Sequence, residues 1–157
     1  MAIAVYPGSF DPFTYGHLDI ATRAAKMFET VHIVVVHNPA KNPRLSTTQR
    51  VELIKEILNG KPGNYVVSSL DTGLLVDYCK DLGADALVKG VRTNVDLDYE
   101  LPMAQVNRDL SGIETIFIPA DPTHGFVSSS LVKQVFDLGG DISKYVPAEV
   151  VRALSKQ

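Results

Sequence analysis

The 157-residue sequence has one cysteine, no long apolar run and no excess of basic residues. With Cys79 alone, an internal disulfide and any cysteine-rich zinc site are excluded, and the residue reads as a packed helix position rather than a nucleophile. No segment approaches the ~20 apolar residues that cross a bilayer, so no membrane partner is expected. The N-terminus lacks the basic stretch and extended apolar core of a secretory signal, which makes a cytoplasmic location the default expectation. Fifteen Lys and Arg stand against 18 Asp and Glu, a net charge of −3, whereas a general nucleic-acid binder carries a basic field. Several motifs are absent as well. Without Gly-x-Gly-x-x-Gly, Gly-x-x-x-x-Gly-Lys-Ser/Thr, His-Glu-x-x-His or Gly-x-Ser-x-Gly, the dinucleotide-binding, P-loop, zincin and hydrolase-elbow readings lose their fingerprints.

What is present is a regular alternation. Apolar, β-branched runs at Ile3–Tyr6, Val31–Val36, Tyr65–Ser69, Ala86–Val91 and Thr115–Pro119 predict strands. Between and after them, helical periodicity predicts helices at His17–Glu29, Thr47–Asn59, Leu74–Leu82, Leu97–Leu110, Ser129–Leu138 and Ala148–Ser155. Ser46 and Gln49 form a capping-box pair. Gly60, Gly83 and Gly139-Gly140 stand where helices stop, while Pro102 predicts either a kink or a later start for the fourth helix. Strands such as Val31–Val36 are apolar almost throughout, which suits a sheet covered on both faces. With no linker or repeat, residues 1–157 read as one α/β domain: a doubly wound, five-stranded parallel sheet with helices on both faces.

Ligands on such sheets bind beyond the carboxyl ends of the strands, so the polar segments there are the candidates. The first strand is followed by Gly8-Ser9-Phe10-Asp11-Pro12-Phe13-Thr14-Tyr15-Gly16-His17, a small-residue turn leading into a helix. That arrangement aims backbone N–H groups and a helix N-terminus at phosphate. Asn38–Arg44 follows the second strand, Lys89–Thr93 the fourth, and Thr123–Ser130 the fifth. Together these segments hold hydroxyls, histidine, lysines, arginines and two helix N-termini, the inventory of a polyphosphate site. His32 and His37 read as structural, Asp96 and Asp98 as compensation for a helix dipole. Three serines at 128–130 exceed what a single helix cap needs.

Thr14-x-Gly16-His17 resembles the T/H-x-G-H signature of the nucleotidyltransferase superfamily. Together with Tyr6–Pro12, Asn38-Pro39-x-Lys41, Lys89-Gly90-Val91-Arg92 and Phe126–Lys133 in this order, the chain resembles the bacterial phosphopantetheine adenylyltransferase family along essentially its whole length. The resemblance implies a Rossmann-like nucleotidyltransferase fold that forms 3′-dephospho-coenzyme A and pyrophosphate from ATP and 4′-phosphopantetheine. It also implies Mg2+, a homohexamer, and coenzyme A as feedback inhibitor. By the same resemblance His17 faces the α-phosphate as a donor. Ser9, Phe10, Gly90, Val91, Arg92, Glu100, His124, Gly125, Phe126, Val127, Ser128, Ser129 and Ser130 contact ATP. Ser9, Lys41, Leu75 and Lys89 contact phosphopantetheine. Many relatives carry an aromatic residue and a serine where this chain has His124 and Gly125. Nicotinate-mononucleotide adenylyltransferase, a cytidylyltransferase and a non-catalytic nucleotide-binding regulator stand as alternatives.

Overall fold

The computed structural model describes residues 2–157. Five parallel strands, β1 (Ile3–Gly8), β2 (Thr30–Val36), β3 (Tyr65–Leu70), β4 (Ala86–Val91) and β5 (Glu114–Pro119), form one sheet in the order β3-β2-β1-β4-β5. The helices are α1 (Tyr15–Ala24), α2 (Thr47–Leu58), α3 (Leu75–Leu82), α4 (Asn94–Ser111), α5 (Ser129–Asp137) and α6 (Ala148–Ser155). The doubly wound reading is therefore correct. Alternation along the strands divides the core. Ala4, Tyr6, Val31, Ile33, Val35 and Val88 pack against α1, α2, α5 and α6, whereas Val5, Val34 and Leu87 pack with Val76 and Cys79 of α3 and with Ile113. Cys79 is buried, and burial raises its thiol pKa to about 11, as suits a core position.

The caps explain most boundaries. Ser46 and Gln49 make the reciprocal capping box at α2, and Gly83 ends α3 in the left-handed conformation. Two boundaries differ from expectation by three residues or more, the others by at most two. The first helix ends at Ala24 rather than Glu29. Met27 and Phe28 both donate to the Ala24 carbonyl, and the Glu29 N–H is taken by Ala2 at the sheet. The fourth helix starts at Asn94 rather than Leu97, because the Thr93 hydroxyl accepts from the Asp96 N–H. α4 continues through Pro102 without a break. The ring removes one donor, and the carbonyl so freed belongs to exposed Asp98.

α1 lies close over β4. A Cβ built on Gly90 would stand 2.9 Å from Ile20 Cγ1, below any ordinary carbon contact. Gly90→Ala is thus expected to push α1 from the sheet and lower stability by about 1–3 kcal/mol. Urea unfolding checks this, and an unchanged midpoint would contradict the close approach.

Candidate active site

The strand order reverses between β1 and β4, and the loops leaving their carboxyl ends diverge around a crevice. Thr14 caps α1 in a capping box with His17. The His17 N–H points to Thr14 Oγ1 at 3.3 Å, and the Thr14 N–H donates to His17 Nδ1 at 3.0 Å. Since Nδ1 accepts a hydrogen bond, the ring proton resides on Nε2. Phe10 and Phe13 pack against the imidazole at centroid separations of 5.0 and 5.4 Å. Burial, with Arg92 and then Lys89 nearby, lowers the His17 pKa to about 4. His17 is accordingly a neutral, rigidly oriented N–H donor.

Phe10 holds φ at 48°, in the left-handed region that side chains avoid. Its ring is wedged over Gly8, where a Cβ would meet ring atoms at 2.8 Å. The turn requires this glycine because the aromatic cluster occupies its side-chain space.

A cavity of about 270 Å³ opens beside this turn. It gathers Ser9 from the β1 turn, Lys41 from the β2 loop, and Ser129, Ser130 and Lys133 from α5. Three cations (Lys41, Arg50, Lys133) and one carboxylate, Asp11, line it. The N–H groups of Ser129 and Ser130 lie in the first turn of α5, where helix geometry leaves donors open. The three serines divide their work. Ser128 caps α5 by accepting from the Leu131 N–H, Ser129 Oγ donates to the Pro12 carbonyl at 2.8 Å, and Ser130 is exposed at the cavity.

The β4 segment joins through ties rather than through the cavity wall. Arg92 Nη1 donates to the Val127 carbonyl at 3.0 Å, and its guanidinium also binds Asp96. Lys89 pairs with Glu100 at 3.4 Å. Gly90 serves the close approach of Ile20, and the Val91 carbonyl accepts from the Ala120 N–H. On the facing segment His124 lies beside Tyr15 at 6.2 Å between centroids, Val127 is buried, and Phe126 is exposed against Tyr145. At Gly125 a Cβ would make only ordinary contacts, so space does not demand glycine there. Leu75 opens α3 and packs against the smaller core instead of lining the cavity.

Sequence reasoning passed over Asp11 and Arg50. Asp11 is 6% exposed, and its carboxylate accepts from the Arg44 and Leu45 N–H groups and faces Lys133 Nζ at 3.2 Å. Arg50 is 2% exposed and donates to the carbonyls of Leu45 and Ser9. A signal existed. Arg50, Leu53, Ile54, Ile57 and Leu58 share one face of α2, so an arginine on the apolar stripe marked a buried charge.

Residues 5–135 match the family model described as cytidylyltransferase-like. The phosphopantetheine adenylyltransferase of Leifsonia xyli subsp. xyli is 56% identical over 155 residues, covering 98% of this chain and 97% of that protein. The phosphopantetheine adenylyltransferase of Clavibacter michiganensis subsp. michiganensis is 54% identical over 155 residues, covering 98% and 95%. The solved structure of Plasmodium falciparum nicotinic acid mononucleotide adenylyltransferase complexed with NaAD superposes with a TM-score of 0.72. It covers 99% of this chain and 95% of that one at 16% identity, a likeness of fold alone.

The His17 environment has a pH signature. Its folded pKa of about 4 lies below the ordinary 6.5, so between those values the unfolded chain binds more protons. The stabilisation is therefore complete above pH 6.5 and declines as pH falls toward 4. Long-range proton–nitrogen NMR is expected to show the Nε2–H tautomer unchanged from pH 8 to about 5, one unit above that folded pKa. Titration of His17 near 6.5 would contradict the assignment.

Proposed function

This chain belongs to the phosphopantetheine adenylyltransferases, and we propose that its crevice carries out the reaction of that family. The adenylyl group of ATP passes to 4′-phosphopantetheine, giving 3′-dephospho-coenzyme A and pyrophosphate. The observation that carries this reading is a neutral His17 donor set beside a cavity lined by three cations and one carboxylate.

An oxygen of the acceptor phosphate attacks the α-phosphorus, the bond to the β-phosphate oxygen breaks, and its electron pair leaves with pyrophosphate. The acceptor is already an anion, so no residue has to remove a proton. Catalysis then rests on alignment, which supplies on the order of 7–11 kcal/mol, and on donors aimed at the charge that develops. Nε2–H of His17 donates to the α-phosphate. Lys41 holds the acceptor phosphate and offsets the repulsion between two anions. The Ser129 and Ser130 N–H groups take the departing phosphates.

Arg92, held by Asp96 and the Val127 carbonyl, orients the segment that wraps the nucleotide. Gly90, Val91 and His124–Val127 border the adenosine, with Glu100 placed by Lys89. Leu75 borders the pantetheine arm. Among the described residues no group of three His, Cys, Asp or Glu is arranged to hold a metal. On this reading magnesium would come with the triphosphate as part of the nucleotide substrate and would supply charge neutralisation to the leaving group.

The homohexamer belongs to the same reading. α4 buries none of its residues, and Val95, Tyr99, Met103, Val106 and Leu110 are each more than half exposed at helical spacing. A stripe of this kind marks a protein contact. Coenzyme A, which contains the pantetheine arm of the product, competes for the crevice as feedback inhibitor. The proposed location is cytoplasmic, where ATP is supplied. No described helix is long and apolar enough to cross a membrane.

Pyrophosphate release from ATP and magnesium tests the reaction, with 4′-phosphopantetheine, nicotinate mononucleotide and glycerol phosphate as acceptors. Turnover is expected with phosphopantetheine alone, and turnover only with another acceptor would refute the assignment. In the same assay His17→Ala should lower kcat roughly 10²–10³-fold, by comparison with loss of one oxyanion donor, while Lys41→Ala raises KM for phosphopantetheine more than for ATP. Sedimentation should show the wild type as a hexamer and a Val106→Glu/Leu110→Glu variant as smaller species; a monomeric wild type would rule out the assembly.

A further inference from the structure

Asp11 and Arg50 do not touch each other, yet both grip the same peptide segment. The Leu45 N–H donates to Asp11 Oδ1 at 2.9 Å, and the Leu45 carbonyl accepts from Arg50 Nε at 3.0 Å. Each residue also holds a second point. Asp11 Oδ2 accepts from the Arg44 N–H at 2.7 Å, and Arg50 Nη1 donates to the Ser9 carbonyl at 2.7 Å. The path closes on itself, from Ser9 through Arg50 to Leu45 and back through Asp11, two residues beyond Ser9. Leu45 is completely buried between them.

This circuit fastens the turn after β1 to the loop after β2. The first bears Ser9, Phe10 and, through the Thr14 cap, His17; the second bears Lys41. Lys133 Nζ, facing Asp11 at 3.2 Å, adds α5 as a third attachment. A buried guanidinium whose hydrogen-bond acceptors are all neutral is costly to hold for stability alone.

We propose that Asp11 and Arg50 are positioning residues that act through the Leu45 peptide as one clasp, fixing the distance between the nucleotide-side donors and the acceptor-binding lysine. The inference rests on the reaction proposed above and deepens it. On that reading His17 meets the nucleotide from one side of the clasp and Lys41 the acceptor phosphate from the other, with Ser9 shared, so loosening it spoils their alignment more than the binding of either. Misplacement by about 1 Å can cost 10²-fold in rate. The outer pair of Arg44 and Asp137 joins the same loop to α5, but it is solvent-exposed and screened.

The test uses the full chain with Asp11→Asn and Arg50→Lys, which keep size or charge, and their double variant. Each single variant is expected to lower kcat per folded molecule about 10- to 100-fold, with the ATP Kd changed less than about threefold. The double variant should be no slower than the slower single one, because either change opens the same circuit. Two independent, multiplying losses, or kcat within about threefold of wild type in both single variants, would overturn the clasp. Amide exchange is the second readout and needs neither substrate nor a variant. Leu45 should be strongly protected in the wild type, and exchange as fast as the amides of exposed Asn38 and Asn42 would also overturn it. Failure of the wild type to turn over phosphopantetheine would instead count against the proposed reaction, leaving amide exchange to decide the clasp.

Discussion

Parallel pairing of β1 between β2 and β4 is the constraint on which the site depends. Because β1 runs in register with β2 from Ile3–Thr30 to Gly8–Val35, the loops after both strands leave from the same edge of the sheet. The pairing of β4 with β5 delivers Arg92 and the Val127 segment to that edge as well. An antiparallel neighbour would send its loop to the opposite end. Ser9, Lys41, Ser129 and Lys133 come from two loops and one helix, separated by up to 124 residues, and they share a cavity because the segments that carry them all follow carboxyl ends of strands.

On that scaffold the electrostatics favour a donor over a base. Burial, Arg92 and Lys89 all push the His17 pKa down, while the Thr14 N–H occupies Nδ1. An imidazole so placed has no open basic nitrogen and presents one N–H. In the proposed transfer the attacking group is already anionic, so the reaction needs that donor and has no use for a base. The positive charge sits instead on Lys41, Arg50 and Lys133, which line the cavity assigned to the phosphates in that proposal. Asp11 balances part of it while being saturated by N–H donors.

The fold was legible in the sequence because its signals are local. The apolar, β-branched runs, the Ser46–Gln49 box and glycines 83 and 139 each act within a few residues. At the end of the first helix a distant partner intervened, the Ala2 carbonyl capturing the N–H of Glu29, whereas the fourth helix starts early on the local Thr93 cap. The site was legible in part. His17, Lys41 and the serines carried a motif, but Ser128 and Ser129 proved to spend their hydroxyls on a cap and on Pro12. Asp11 stood in plain view between Phe10 and Pro12. Its importance lies in contacts with Arg44, Leu45 and Lys133, which no spacing along the chain announces.

The sequence by itself determined the order of strands and helices, the apolar stripes that choose their buried faces, and the residue types able to meet phosphate. Those follow from backbone propensity and side-chain periodicity, which operate over one or two turns. The tertiary structure alone decided the tautomer and charge of His17, the saturation of Asp11 and the burial of Arg50. Each of these is a property of a group's surroundings. Desolvation and hydrogen-bond geometry exist only once residues far apart in the chain have been brought within a few ångströms of one another.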